Sequence, residues 1–470
     1  MAASSPLVKV IVFDDDPTGS QTVHGCPLLL RWDRASLRRA LQHPSPLLFL
    51  LTNTRALTPE VAAQRVQALA VAMQQALQDL DLKHWLQVSR GDSTLRGHFP
   101  LEVEAIASVL GPFDALLLAP AFLPGGRTTV AGMHRLHGEP VHCSEFARDG
   151  LFAYSSSFLP EWVAEKSGGR IPAEQVARLE LAELEGPPEV LLERLAGFEG
   201  GVCVAVDAER PQHLQALGAA VRELTAPEAG ERWGRPRRFL FQSAASLLNG
   251  LVPLPPQPLE AAGLAGLRRR DSQGRLLPGL VLVGSHVPLA DRQLAVLLPE
   301  SCCTAIEIPV PEVLQALRAH AEPDAAADIP VDGAALASLE HRLGRALAAA
   351  LEAGCTPVLF TSRGELVCAS AVERRRLGLH LAALMARLAA SLAPRLGYLI
   401  SKGGITSHTL LADGLDLEVV ELQGQLLAGL SLVLTPADAR VPLLPVVTFP
   451  GNLGDDGSLR QVWRLLDQGV

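Results

Sequence analysis

The chain has 470 residues, a formal net charge of −9, 48% apolar residues and only 4% aromatic ones. That length exceeds one ordinary core, so two or three domains are expected, built on Leu, Ala and Val rather than on rings. The acidic balance argues against a general nucleic-acid binder, and no apolar stretch reaches the ~20 uninterrupted residues a membrane helix needs.

Short Val/Leu/Ile runs alternate with long Ala/Leu-rich segments along the whole sequence. Strands are expected at Val8–Phe13, Leu47–Leu51, Trp85–Val88, Ala115–Leu118 and Val202–Val206. Helices are expected at Pro59–Leu80, with Thr58 as N-cap, and at Glu102–Leu110. The run VPLPPQPL at Val252–Leu259 reads as a stiff linker. Beyond it, strands are expected at Leu280–Val283, Ala305–Ile308, Val358–Phe360 and Tyr398–Ile400, and helices at Asp291–Leu298, Gly333–Glu352 and Glu373–Leu392. His320–Ile329 reads as a loop. Apolar strands interleaved with helices predict an α/β fold of two domains, each a mostly parallel sheet with flanking helices. The expected boundaries are 1–250 for the first domain, 251–278 for a linker region and 279–470 for the second, with an active site in the cleft between them.

No secretory leader is expected before the first strand. Seven scattered cysteines without a CxxC pair suit a reducing cytoplasm. The Arg runs Arg235–Arg238 and Arg268–Arg270 read as solvated surface or linker.

The chemistry concentrates where strands end. Asp14–Ser20 (DDDPTGS) places three carboxylates on one turn. They repel, so they need a cation, a proton or hydrogen-bond donors. Such a turn could hold a general base or read substrate hydroxyls, or it could be an Asx-capped turn. Thr52–Arg55 (TNTR) ends the next strand. Ser89–Gly97 (SRGDSTLRG) offers Arg90 and Arg96 beside Asp92, Ser93 and Thr94, and Gly125–Thr129 (GGRTT) adds Arg127 and Thr128. Arg side chains grip carboxylates through paired hydrogen bonds, although surface salt bridges use the same residues. In the second half, GSH at Gly284–His286, TSRGE at Thr361–Glu365, SKGGITS at Ser401–Ser407 and FPGNLGDDGS at Phe449–Ser458 could bring backbone N–H groups to a phosphate. None is a GxxxxGK[ST] loop. His134, His137 and His142 are close in sequence, but no CxxC or HExxH supports a metal site.

Taken together, these stretches resemble the four-carbon acid sugar kinase family. Asp15, Asp16, Thr18 and Gly19 match its opening Asp-Asp-x-Thr-Gly turn, and Asp92–Gly97 matches its Asp-Ser-Thr-Leu-Arg-Gly motif. Pro120–Phe122, Gly126–Thr129, Glu145–Asp149 and Glu165–Ile171 follow in order. Gly284–Ser285, Lys402–Thr406, Gly424–Gln425 and Phe449–Gly454 are similar in the second half. The resemblance implies an N-terminal acid-sugar domain, a C-terminal ATP domain, and phosphorylation of a terminal hydroxyl of threonate, erythronate or a 3-oxo-tetronate with ATP and Mg²⁺. It implies Asp16 and Asp15 as catalytic residues. Asp92, Ser93, Thr94, Arg96, Arg127 and Thr128 would bind the acid. Ser285, Ser362, Gly403, Gly404, Thr406, Gly451, Asn452 and Gly454 would bind ATP. No residue is assigned to the metal. A small-molecule partner and a homodimer are expected, with no nucleic acid and no membrane. Where relatives continue Ser-Asp after GGITS, this chain has His408 and Thr409. The alternatives are therefore a kinase-derived ligand sensor without catalysis, or a dinucleotide-dependent oxidoreductase, for which no GxGxxG is present.

Overall fold

The computed structural model describes residues 8–16, 19, 22–319, 334–364 and 368–469. The expected loop at His320–Ile329 lies outside them, as do Pro17, Thr18 and Ser20 of the first turn. Two compact units divide the chain, Met1–Gln257 and Pro258–Val470.

In the first unit the strands are β1 (Lys9–Asp14), β2 (Cys26–Leu29), β3 (Leu47–Leu51), β4 (Trp85–Arg90), β5 (Ala115–Ala119), β6 (Arg127–Val130), β7 (Met133–Leu136), β8 (Glu139–Pro140), β9 (Ala177–Leu179), β10 (Val202–Val206) and β11 (Phe239–Ser243). The main sheet is parallel, in the order β2-β3-β1-β4-β11-β5-β10-β9. Every residue of β1 and β3 is buried. A strand covered on both faces has no polar alternation to keep, which is why these segments read as continuous apolar runs. A small antiparallel sheet, β6-β7-β8, stands apart from the main one. The helix Pro59–Asp79 starts as the sequence predicts, with Thr58 accepting from the Val61 amide at 3.4 Å and Pro59 in its first turn.

Strand order positions the site. The chain places β3 on one side of β1 and then crosses to place β4 on the other. That reversal opens a crevice at the carboxyl ends of β1, β3 and β4, where open parallel sheets bind ligands. DDD, TNTR and SRGDSTLRG follow those three strands.

In the second unit the strands are β12 (Gly279–Val283), β13 (Cys303–Ile308), β14 (Thr356–Thr361), β15 (Tyr398–Lys402), β16 (Val419–Leu427), β17 (Leu430–Leu434) and β18 (Pro445–Phe449). They run in the order β13-β14-β12-β15-β18-β17-β16, parallel as far as β18 and antiparallel through β17 and β16. The helix expected at Asp291 begins earlier, at Pro288, because proline suits a first turn. The apolar run Val441–Val447 is strand only from Pro445. The segment Val372–Arg395, within and just beyond the helix Ala371–Leu392, is long and apolar enough to cross a membrane, but 56% of its most apolar 18-residue stretch is buried inside the protein. It serves as a core helix, with Leu381, Met385 and Leu388 inside.

The arginine runs are solvated surface only in part: Arg235 and Arg270 are exposed, while Arg237, Arg238, Arg268 and Arg269 are half-buried. Arg235 pairs with the buried Asp114, and Arg238 lies over the Trp85 and Phe113 rings while donating to the Leu110 and Pro112 carbonyls. Arg268 stacks on Tyr398 and donates to the Leu277, Leu466 and Asp467 carbonyls, and Arg269 donates to those of Ala393 and Leu396. Arg238, Arg268 and Arg269 thus donate to carbonyls at helix ends and in loops, a task the long planar fork suits.

Candidate active site

At the end of β1, Asp14 and Asp15 turn inward and are buried, whereas Asp16 keeps 17% of its side chain exposed. The donors these carboxylates require arrive from the neighbouring strands. Arg55, after β3, grips Asp15 with Nε at 2.8 Å and Nη2 at 2.9 Å, and reaches Asp16 at 3.4 Å and Asp92 at 3.8 Å. Arg90, the last residue of β4, lies 3.4 Å from Asp14 and 3.3 Å from Asp15. Burial pushes the Asp14 carboxyl up to about 7 against the pull of Arg90, and it raises Asp15 against Arg55 and Arg90. Asp92 goes the other way. Burial would raise it, but Arg96, Arg55 and the Thr94 hydroxyl outweigh that and hold it well below the usual carboxylate range.

The second motif is folded around Asp92. Arg96 Nε donates to Asp92 at 2.7 Å, its Nη1 lies 3.6 Å from Asp149, and its guanidinium covers the Phe146 ring. Thr94 donates its hydroxyl to Asp92. The carbonyls of Ser93 and Thr94 are held by His134 Nε2 at 2.8 Å and the Tyr154 hydroxyl at 2.7 Å. Arg127 is buried close enough to Asp92 and Arg96 to feel both charges, and it donates to the Gly125 carbonyl at 2.7 Å. Strand alternation puts Arg127 and Thr129 on the buried face of β6 and Thr128 on the other. Asp15, Asp16, Asp92, Thr94 and Arg96 therefore form one cluster with Arg127 beside it, while Thr128 points away from the Arg127 face. His134 is a buried hydrogen-bonding residue, tied also to Thr129 at 2.9 Å, and burial lowers it to about 4. Among the described residues no group of three or more His, Cys, Asp or Glu is arranged to hold a metal.

In the second unit, four parallel strands end in the predicted glycine-rich turns. The amides of Gly284 and Ser285 donate to the Lys402 carbonyl at 3.1 and 3.3 Å, and the Gly403 amide donates to that of Phe449 at 2.9 Å. These bonds tie the ends of β12, β15 and β18 together. A side chain at Gly284 would overlap the Thr406 hydroxyl. Gly403 has φ +124°, and a Cβ there would press on the Ser285 amide and Thr406, each at 3.3 Å. Ser285, Gly403, Thr406 and Gly451 thus pack into one surface at the strand ends, with Gly404 next in the chain; Gly403 and Thr406 are buried in it, and Ser285, Gly404 and Gly451 are partly exposed. Asn452 and Gly454 continue the last turn. Ser362 is committed elsewhere, accepting from the Val310 amide at 3.0 Å.

Lys402 lies beneath this surface. Its ammonium donates to the Pro450 carbonyl at 3.0 Å and sits 4.0 Å from the Phe449 ring centroid. Burial, with the nearby Arg363 charge, lowers it to about 7. Arg363 buttresses the first turn, donating to the Ser285 and Val283 carbonyls at 2.6 and 3.2 Å.

Comparison with known proteins matches a separate family model to each half of the chain. Residues 10–251 match the sugar-binding N-terminal domain model, and residues 280–459 match the nucleotide-binding C-terminal domain model. A D-threonate kinase of Salmonella typhimurium is 27% identical over 465 residues, covering 96% of this chain and 97% of its own. A D-threonate kinase of Cupriavidus necator is 27% identical over 379 residues, covering 80% of this chain and 79% of its own. The chain belongs to the four-carbon acid sugar kinase family. A solved Salmonella typhimurium structure described as a tRNA synthase shares the fold, with a TM-score of 0.66 at 16% identity, covering 98% of this chain and 100% of that one.

Within this family member, the residues missed from the sequence are those that neutralise or support the motifs. Arg55 closes TNTR at a strand end, the same position that marked the other clusters, and could have been found that way. Lys402 and Arg363 lie inside SKGGITS and TSRGE. Glu102, buried near Asp15, had no signal, because an acidic residue in the first turn of a helix is ordinary.

Proposed function

We propose that this chain transfers the terminal phosphoryl group of ATP to a terminal hydroxyl of a four-carbon sugar acid of the threonate or erythronate type. The observation that carries the reading is the Asp15–Asp16–Arg55–Asp92–Arg96 cluster at the crevice of the first unit's sheet. It combines fixed carboxylates for hydroxyls with guanidinium groups for an acid. Family membership and the kinase names of the relatives support it.

In this reading the first unit, expected at 1–250, holds the acid and the second, 279–470, holds the nucleotide. Arg96 or Arg127 takes the substrate carboxylate, with Asp92, Ser93 and Thr94 fixing the loop that presents Arg96. Asp16 accepts the proton of the attacking hydroxyl, because it is the most exposed of the three aspartates, whereas Asp15 is locked under Arg55 and keeps that arginine in place. Thr128 is assigned no direct contact. The backbone of Gly403, Gly404 and Gly451, with Ser285 and Thr406, cradles the phosphates, and Asn452 and Gly454 complete the turn. Ser362 serves the loop rather than the nucleotide. No residue is assigned to the metal; Mg²⁺ bound with the nucleotide would supply neutralisation of phosphate charge, and this chain's residues would contribute positioning and the Asp16 base.

A panel of four-carbon sugar acids and their 3-oxo forms, with Mg²⁺ and ATP, tests the reading through ADP release. Stimulation by one member supports it. Acid and ATP binding without ADP release from any member would replace it with the ligand-sensor reading that His408 and Thr409 favour.

A further inference from the structure

Beside the carboxylate cluster lies a recess whose far wall, Glu102, Gln242 and Ser243, the kinase reading does not use. It opens between the ends of β4 and β11 beside Asp15 and Asp92, and its volume is about 20 Å³. That is the room of one water molecule or one hydroxyl group. Three buried polar atoms without a hydrogen-bond partner among the described residues belong to side chains lining it: Glu102 Oε1, Gln242 Oε1 and Ser243 Oγ. Buried polar atoms normally find partners, so three unmet ones on side chains that line a single void mark it as a place for a polar group. The rest of the wall is mixed: Asp15, Asp92, Arg96 and His98 line the side toward the cluster, and Leu118 and the Phe99 and Trp162 rings, their centroids 4.7 Å apart, line the remainder.

The chemistry of the three groups narrows the occupant. Burial, reinforced by the charge of Asp15, pushes the Glu102 carboxyl up to about 8, so near neutral pH it carries a proton it can donate. The Gln242 carbonyl only accepts, and the Ser243 hydroxyl does both. Arg96 on the near side is the group the kinase reading gives to the substrate carboxylate, whereas an anion pushed to the far side would meet the Gln242 oxygen, which cannot donate to it. An alcohol both donates and accepts, so it satisfies the set.

We propose that the Glu102–Gln242–Ser243 recess receives one secondary hydroxyl of the sugar acid and so decides which diastereomer is accepted. The inference rests on the kinase reading for its substrate class. With the carboxylate on an arginine, the carbon skeleton is fixed at one end. Only one configuration at the recess carbon then directs its hydroxyl inward, and the other configuration leaves three polar atoms unmet. A site built to hydrogen-bond a hydroxyl rejects analogues lacking it far more strongly than an apolar pocket rejects an extra methylene.

The test measures binding by calorimetry without nucleotide, on the full chain, so that turnover is not required. The ligands are the threo and erythro four-carbon trihydroxy acids and analogues lacking one secondary hydroxyl. Wild type should prefer one diastereomer, and lose about 10- to 100-fold in affinity for the one analogue that lacks the recess hydroxyl. Ser243→Ala and Glu102→Gln should weaken the preferred acid by a similar factor and leave that analogue nearly unchanged. Glu102→Gln preserves shape, and thermal melting confirms that each variant is folded. Equal losses on the parent acid and on the analogue, or no diastereomer preference in wild type, overturn the recess. A preserved preference in binding with no ADP release from any acid overturns the kinase reading alone. Failure of every acid to bind overturns both.

Discussion

Replacing Arg55 with Met tests whether the carboxylate cluster is a balanced charge network. Arg55 makes one hydrogen bond to Asp15, at 2.9 Å, and a second ion-pair contact at 2.8 Å, and its side chain is only 19% exposed. Methionine fills similar volume but leaves Asp15 with Arg90 alone, at 3.3 Å. Removing one partner of a buried pair costs about 3–5 kcal/mol, because the remaining charge stays desolvated. The remaining contact to Arg90 places the expected loss at the lower end, about 3 kcal/mol. The pH dependence fixes the cause. The folded-state pKa of Asp15 already lies above its ordinary value, and losing Arg55 raises it further. The folded variant therefore binds a proton more readily than the unfolded chain does, so its deficit should be greatest near neutral pH. It should shrink as the pH falls and Asp15 takes up its proton in both proteins. Urea unfolding of wild type and variant across that range is the assay. A deficit below about 1 kcal/mol at neutral pH, or one that does not change with pH, refutes the charge-network account.

Asp16→Asn should lower turnover by about 10²- to 10⁴-fold with little change in acid affinity, read by ADP release beside calorimetry; near-normal turnover removes Asp16 as the base. Gly403→Ala forces a side chain into φ +124°, and should raise the KM for ATP while costing about 1–3 kcal/mol of stability. For Lys402, the folded pKa of about 7 lies below the model-peptide value of 10.5. The folded state then binds fewer protons than the unfolded one between those values, so wild-type stability should rise as pH increases through that window, and Lys402→Met should lose that rise. Unfolding midpoints at a series of alkaline pH values would show it.

Particular residues show how far the sequence could be read. Leu47–Leu51 and Val202–Val206 have the same limits in sequence and structure, because each is a short, wholly apolar run between turn signals. Phe239–Ser243 escaped notice behind its Arg run. It becomes a strand by pairing with β4 and β5, partners some 120 to 150 residues away in the chain, and periodicity cannot register such distant partners. The arginine runs misled for a related reason, since what they bond to is carbonyls brought near by folding. In the first crevice, the motifs named Asp15, Asp16, Asp92 and Arg96, but nothing in their spacing said which aspartate is sealed under a guanidinium and which meets solvent.

By itself, then, the amino-acid order determined the alternation of apolar strands and helices, the polar turns at strand ends and the motifs of the family, all of them local features. The tertiary structure alone decided that β3 and β4 flank β1, which brings Arg55 and Arg90 onto one set of carboxylates. It also decided that Glu102, Gln242 and Ser243, from a helix and a distant strand, share one void. Charge balance and burial depend on distances between segments far apart in the chain, and those distances exist only after the sheet has formed.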